Sequence, residues 1–371
     1  ERLNLKAVGI TWSTGKTCTK DCLVSGLGTG MRVAYSPGRY NNEVGGPLTV
    51  FSARRQDEVL VCEMGARHPG DIGRLCEIVR PEAGIITNVG PAHLAIFKTL
   101  EAVRQAKSEL AAALPEEGFL LLNALDPATR WISRHTRARV VLFGRSKKAE
   151  YRAERIRLGP DGRPVFQVSG PSVQVEVALS APGLHQVDNA LAAAACANLL
   201  GISEEGIREG LERAAMSSWR METIRARDGY LVINDAYNAN PASMQAAIET
   251  LSALGGEFRT LAVLGGMAEL GAGSRDYHRK VGQLLVDNDV DLLIAVGRKA
   301  LDYASAAISA GLPRGSVFRC STIDEAGAVL KAILEPGDAV LVKASRVYGF
   351  DKLARDISVN GFLKGERSVD V

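Results

Sequence analysis

Short apolar runs recur along the chain and alternate with stretches of helical periodicity. The first is Leu5-Lys6-Ala7-Val8-Gly9-Ile10-Thr11; Val59–Cys62, Ala83–Thr87, Phe119–Leu122 and Val140–Phe143 follow. Runs of this length, bounded by turn residues, predict strands buried on both faces. Helical patterns lie between them, one from about Lys16 and another over Leu100–Leu114. Strand and helix in alternation predict an α/β fold with a mostly parallel sheet covered on both sides.

The texture changes between Tyr151 and Leu179. Period-two alternation flanks Pro160-Asp161-Gly162, which predicts a hairpin or small antiparallel sheet. Gly183 then precedes an alanine-rich helix, Asn189–Leu200, and a second helix near Ser203–Ala214. A new α/β series begins after Ser217, with strands at Tyr230–Asn234, Thr260–Leu264, Leu292–Val296 and Ala339–Lys343. The expected boundary is Ser217–Ser218, giving domains 1–217 and 218–371.

Composition narrows the classes of function. At 371 residues the chain is too long for one core. Hydrophobic residues at 46% and charged residues at 23% are ordinary for a globular protein. The net charge of +3, from 45 basic and 42 acidic residues, gives no case for a nucleic-acid or membrane partner. The six cysteines form no CxxC pair, so buried thiols of a reducing compartment are expected rather than disulfides or zinc. No signal core and no membrane-spanning run is present, and cytoplasmic residence is the expectation.

Chemistry enters at the first strand–helix junction. Ser13-Thr14-Gly15-Lys16-Thr17 places backbone N–H groups and a helix N-terminus where a nucleoside triphosphate can rest. Lys16 adds a mobile cation for the phosphates, and the Thr17 hydroxyl can ligate Mg²⁺. The bland alternative is a chance Gly-Lys-Thr at a helix start. The usual first glycine of such a loop would fall at Ile10; Gly9 stands one place earlier. The expected architecture is therefore a central P-loop-type domain, mostly parallel with a small antiparallel subsheet, followed by a Rossmann-like α/β C-terminal domain.

Gly9-Ile10-Thr11-Trp12-Ser13-Thr14-Gly15-Lys16-Thr17 resembles the ATP loop of the Mur ligase family. Further segments stand in that family's order: Glu63–Arg67, Thr87–Leu94, Ala106–Leu110, Gly183-Leu184-His185 with Asn189-Ala190, Arg220-Met221-Glu222, Asn234–Pro241 and Leu264–Gly271. Tyr237-Asn238-Ala239-Asn240-Pro241 resembles the branch that adds D-alanyl-D-alanine. The resemblance implies an ATP-dependent ligase that activates a carboxylate as an acyl phosphate and forms an amide with an incoming amine. The implied substrates are a sugar-nucleotide peptide and a dipeptide or other amine.

It also implies roles residue by residue. Lys16, His93 and Lys107 would be catalytic. Thr17 and Glu63 would hold one Mg²⁺, and His93 and Lys107 a second, Lys107 as a carbamate formed with CO₂. Asn189 would meet adenine, Arg220 a phosphate and Asp235 the ribose. Each has a plainer reading: a capping carboxylate at Glu63, a structural His93, a solvated Lys107, an N-cap at Asn189, an interdomain ion pair for Arg220 and Asp235. Asn238, Asn240, Lys343, Ser345 and Arg346 are acceptor-side candidates, because α/β domains bind ligands at the carboxyl ends of strands and a basic pair there can neutralise a carboxylate.

Several positions depart from the family pattern. Trp12, Lys98 and Trp219 replace glycines, as do Ala344 and Val347, and Gly266 stands where an aspartate is usual. A tryptophan at 12 is expected to crowd the nucleotide. Family members carry a preceding domain for the UDP end of the donor, and such a domain is expected in cis or in trans. Two other readings stay open: a Mur-like ligase with another donor or amine, and a nucleotide-binding pseudoenzyme.

Overall fold

The computed structural model describes residues 5–38 and 40–359. These divide into two compact units, residues 5–159, 163–180 and 184–217 in the first, and 160–162, 181–183 and 218–359 in the second.

The first unit is built on strands β1 (Lys6–Thr11), β2 (Val33–Tyr35), β3 (Val59–Glu63), β4 (Ala83–Ile86), β5 (Phe119–Asn123), β6 (Arg139–Gly144), β7 (Tyr151–Leu158), β8 (Pro164–Gly170) and β9 (Val173–Ala178). Their order is β2-β3-β1-β4-β5-β6-β7-β8-β9, parallel as far as β7 and antiparallel beyond it. The antiparallel strands extend the parallel sheet through the pairs Phe143↔Tyr151 and Gly144↔Arg152, so the expected subsheet is continuous with the main one. The short strand β2 escaped sequence reading because three residues carry no periodicity.

Helices α1 (Lys16–Leu27), α2 (Gly45–Ser52), α3 (Asp71–Val79), α4 (Leu94–Phe97), α5 (Leu100–Ala113), α6 (Thr129–Ile132), α7 (Leu184–Leu199) and α8 (Glu204–Arg213) belong to the same unit. One face of the sheet packs with α1, α7 and α8 through Leu23, Leu27, Leu191 and Leu211. The other packs with α3 and α5 through Leu75, Val103 and Leu110. The alanine-rich helix begins at Leu184, earlier than expected, so Asn189 lies inside it and is not its cap. Pairing of Ile10 with Glu63 and of Thr11 with Ile86 brings the ends of β1, β3 and β4 to one edge. The turn 12–15, Glu63 and the segment after Ile86 therefore share that edge.

The second unit has strands β10 (Glu222–Arg225), β11 (Leu231–Asn234), β12 (Arg259–Leu264), β13 (Leu292–Val296), β14 (Val317–Cys320) and β15 (Asp338–Lys343), in the order β10-β11-β15-β12-β13-β14. Only β10 is antiparallel among them. The two edge strands, β10 and β14, are half-exposed and carry Glu222, Arg225 and Arg319, which hid them from a search for apolar runs. Helices α9 (Pro241–Ser252), α10 (Ser274–Asp287), α11 (Leu301–Ala310), α12 (Ile323–Ile333) and α13 (Phe350–Val359) complete the unit. The registers Asn234↔Val342 and Leu264↔Lys343 align the carboxyl ends of β11, β15 and β12.

Helices α1 and α8 approach closely on one face of the sheet. Ser25 Oγ donates to the Gly210 carbonyl at 2.6 Å, and a Cβ built on Gly210 would lie 2.5 Å from Gly26 Cα and 2.6 Å from the Ser25 carbonyl oxygen. Backbone cannot yield as a side-chain tip can. Alanine would gain about 1 kcal/mol in helix propensity, but forced separation of α1 from α8 costs about 1–3 kcal/mol or more. Gly210→Ala is therefore expected to destabilise the first unit, read as a lower midpoint in denaturant unfolding; an unchanged or raised midpoint would contradict this packing.

Candidate active site

The turn after β1 is held from outside itself. Ser13 N–H donates to the Asn88 carbonyl at 3.2 Å, Thr14 N–H to Asn88 Oδ1 at 3.2 Å, and Asn88 Nδ2 to the Thr14 carbonyl at 3.1 Å. Ser13 Oγ and the Gly90 backbone exchange bonds of 2.9 Å. The N–H groups of Ser13 and Thr14 are thus spent on the loop after β4. The turn leads through Gly15 directly into the first turn of α1. Gly15 has φ 92, a left-handed conformation, and no side chain caps the helix it precedes. Its φ favours glycine, and so does Asn189, whose Oδ1 would lie 2.7 Å from a Cβ at that position. Gly9 serves packing instead: a Cβ there would meet Leu110 at 2.8 Å.

Thr17 and Glu63 meet as the sequence predicts. Thr17 Oγ1 donates to Glu63 Oε2 at 3.1 Å, and Asn41 Nδ2 to Glu63 Oε1 at 2.8 Å. Glu63 is 2% exposed, the last residue of β3, and caps no helix. Lys16 Nζ reaches the Trp12 carbonyl at 3.1 Å. Lys107 is no solvated lysine. It is 3% exposed, and its ammonium nitrogen donates to Thr11 Oγ1 at 3.3 Å. Burial first, and then the Lys16 charge, push its pKa well below the ordinary lysine value, against weaker opposition from Glu109 and Glu63. A neutral amine at the end of β1 is the form that can react with CO₂.

His93 precedes α4 with φ 54, and its carbonyl accepts the N–H groups of Ile96 and Phe97 at 3.0 Å. Asn189 is engaged below the turn, donating to Gln186 Oε1 at 3.0 Å and accepting from Thr19 Oγ1 at 3.3 Å. A divalent cation fits Thr17 and Glu63 chemically, a hydroxyl and a carboxylate at a helix start. No group of three or more His, Cys, Asp or Glu among the described residues forms a cage of its own, so phosphate oxygens and water would complete the shell.

In the second unit the candidates gather at the ends of β11 and β15. Asp235 ion-pairs with Lys343, and its Oδ1 accepts Met221 N–H at 3.2 Å. This is a bond within one unit, unlike the interdomain ion pair that is the plainer reading of Asp235. Lys343 is 1% exposed and also reaches the Asn238 carbonyl at 3.0 Å, so it fixes the loop rather than presenting a free charge. Asn240 caps α9, accepting Ser243 N–H at 2.9 Å. Ser345 Oγ ties Ala268 N–H (2.9 Å) to the Ala239 carbonyl (3.1 Å). Asn238 and Arg346 keep exposed surface. Arg220 lies over the Tyr237 ring at 3.9 Å. Asn88, Asn41 and Thr11 were not singled out from the sequence, although Asn88 and Thr11 lie in segments quoted above.

Residues 10–197 match the Mur ligase middle domain, and residues 219–346 the Mur ligase, glutamate ligase domain. The UDP-N-acetylmuramoyl-tripeptide--D-alanyl-D-alanine ligase of Mycobacterium tuberculosis is 40% identical over 94% of this chain and 72% of its own length. The chain belongs to the Mur ligase family. The Bacillus subtilis ligase of the same name is 31% identical over 96% of this chain and 77% of its own. Among Mur ligases of known structure, MurF from Acinetobacter baumannii superposes with a TM-score of 0.87 at 32% identity, covering 96% of this chain and 77% of that one. MurF from Thermotoga maritima, solved with ADP, gives 0.84 at 27% identity, covering 95% and 79%.

The departures from the Mur ligase pattern now have places. Trp12 is wholly buried in the core beside Ile10 and Leu23, and its indole Nε1 lies 3.3 Å from a Cβ built on Gly15, beside the turn before α1. Its backbone needs no positive φ. Lys98 and Trp219 differ: both hold φ 64, where the family's glycine would be relaxed. The space of the usual aspartate at Gly266 is filled by Tyr348, whose hydroxyl lies 2.7 Å from a Cβ built there.

Two expectations follow. Lys98 is exposed, so Lys98→Gly should stabilise the first unit by about 1 kcal/mol by relieving a left-handed backbone; an equal or lower unfolding midpoint would contradict this. Lys107 binds its proton more weakly folded than unfolded, so it lowers stability at neutral pH. That cost shrinks as pH rises from the lowered folded pKa towards about 10.4. In CO₂-free buffer, Lys107→Met should therefore unfold at higher denaturant than the parent at pH 7, by a margin that narrows at pH 9.5. A constant or absent margin would contradict the lowered pKa.

Proposed function

We propose that this protein is an ATP-dependent amide-bond ligase that joins D-alanyl-D-alanine to UDP-N-acetylmuramoyl-tripeptide in peptidoglycan precursor synthesis. The observation that carries the chemistry is the grouping of Lys107, Thr11 and Glu63–Thr17 at the carboxyl edge of β1 and β3, beside the uncapped start of α1. The relatives' shared name supports the substrates.

In this reading the first-turn N–H groups of α1 and Lys16 bind the triphosphate, and Lys16 offsets charge that builds on the transferred phosphoryl group. Thr17 and Glu63 would hold Mg²⁺, which would supply charge neutralisation at the phosphates. The Lys107 nitrogen, as the neutral amine, would add to the carbon of CO₂ and lose a proton to solvent, giving a carbamate anion that, with His93, would hold a second Mg²⁺. The donor's carboxylate oxygen attacks the γ-phosphorus and ADP leaves; the acceptor's amine then attacks the acyl carbon and phosphate leaves. Asn189, Arg220 and Asp235 serve the nucleotide, and Asn238 and Arg346 the acceptor, with Lys343, Asn240 and Ser345 holding their loop. The part of the relatives that this chain does not match is where we place recognition of the donor's UDP end. No described helix is long and apolar enough to cross a membrane; cytoplasmic residence belongs to this proposal.

A second reading, a Mur ligase with another amine, is favoured by one observation: Tyr348 occupies the space of the family's aspartate at Gly266. Phosphate release from Mg²⁺-ATP and the UDP-linked tripeptide separates the two. Release that depends on D-alanyl-D-alanine supports the first reading, and release only with other amines the second. Lys16→Ala is expected to remove turnover in either case; retained activity in that variant would overturn the nucleotide assignment. ¹³C-labelled bicarbonate should give a carbamate resonance in the parent protein that Lys107→Arg lacks, and its absence from the parent would remove the carbamate from the account.

A further inference from the structure

Trp219 is a bulky side chain on a left-handed backbone, φ 64. Such a conformation costs about 1–3 kcal/mol and persists only where surroundings enforce it. Here Trp219 N–H donates to Glu222 Oε2 at 3.2 Å, and its carbonyl accepts Tyr237 N–H at 3.2 Å. Met221, two residues on, is also left-handed and is held by Asp235. The result is an indole laid over the Arg346 guanidinium, 4.2 Å from Cζ to the ring. Arg346 Nη1 also faces Asp351 Oδ1 at 3.2 Å. One face of the guanidinium is covered and Nη1 is buried in ion contact with Asp351 without a hydrogen bond, while 39% of the side chain stays exposed.

An unsupported arginine samples many rotamers, and fixing it on binding costs affinity. An arginine clamped between an aromatic face and a carboxylate is already ordered, and its open edge offers N–H donors in a fixed plane. We propose that Trp219 is a positioning residue that orients Arg346 to receive the carboxylate of the incoming amine substrate, and so favours acceptors with a free terminal carboxylate over their neutral amides. The inference rests on the acceptor role given to Arg346 above. Glycine at 219 would relax the backbone but leave the guanidinium uncovered, so strain relief and acceptor recognition pull in opposite directions at one position.

The test compares full-length parent, Trp219→Gly, Trp219→Phe and Arg346→Ala, measuring KM and kcat for D-alanyl-D-alanine, its C-terminal amide and ATP, together with unfolding midpoints. Trp219→Gly should raise KM for the dipeptide about tenfold, the equivalent of a lost cation–π contact with its ordering, and should narrow the preference over the amide. Its KM for ATP should stay within about twofold and its unfolding midpoint should not fall. Trp219→Phe should restore KM to within about threefold of the parent. A raised dipeptide KM in Arg346→Ala but not in Trp219→Gly overturns this inference alone, as does a parallel rise in all KM values in Trp219→Gly. A parent protein without dipeptide-dependent turnover overturns the acceptor assignment and this inference with it.

Discussion

A helix that starts without a side-chain cap, next to two lysines and a buried carboxylate, is the feature around which the first unit is organised. The first turn of α1 exposes its positive end, Lys16 stands at that end, and Glu63 is buried against Thr17. Lys107 is close enough for Lys16 to disfavour its proton, and burial disfavours it further. The remainder of the first unit serves to hold this edge still: Asn88 and Gly90 fix the turn, and α8 presses on α1 through two glycines. That order must exist before ligand arrives, because electrostatic stabilisation depends on groups that need not reorganise.

The second unit uses the same device at its own sheet edge, with another purpose. Asp235 and Lys343 neutralise one another and stitch the ends of β11 and β15 together. Asn240 and Ser345 are consumed by the same loop. Beside them, Asn238 is exposed, Arg346 is partly exposed, and the aromatic rings of Trp219 and Tyr237 lie against two guanidinium groups.

Much of this was legible in the chain. Parallel strands buried on both faces announce themselves as apolar runs, and so β1, β3, β4, β11, β12, β13 and β15 were found while the polar edge strands β10 and β14 were not. The resemblance to the Mur ligases set Glu63 beside Thr17, and the two hydrogen-bond at the ends of β3 and β1. A solvated lysine is the plainer reading of Lys107, yet Val103, Lys107, Leu110 and Ala111 are buried on one stripe of α5. Asn189 was weighed as a cap because the helix was started too late; Leu184 continues the helical pattern directly from Gly183. The rotamer of Trp12, the left-handed backbone at Trp219 and the pairing of Asp235 with Lys343 depend on contacts between distant segments, and no local pattern encodes them.

The central claim is that a carboxylate oxygen of the donor passes through the γ-phosphorus held at the start of α1. Supplying the UDP-linked tripeptide with ¹⁸O in its reacting carboxylate, in unlabelled water with Mg²⁺-ATP and the dipeptide, tests it directly. The account predicts inorganic phosphate carrying one ¹⁸O atom per amide formed. Phosphate free of label, with amide formed all the same, would contradict it.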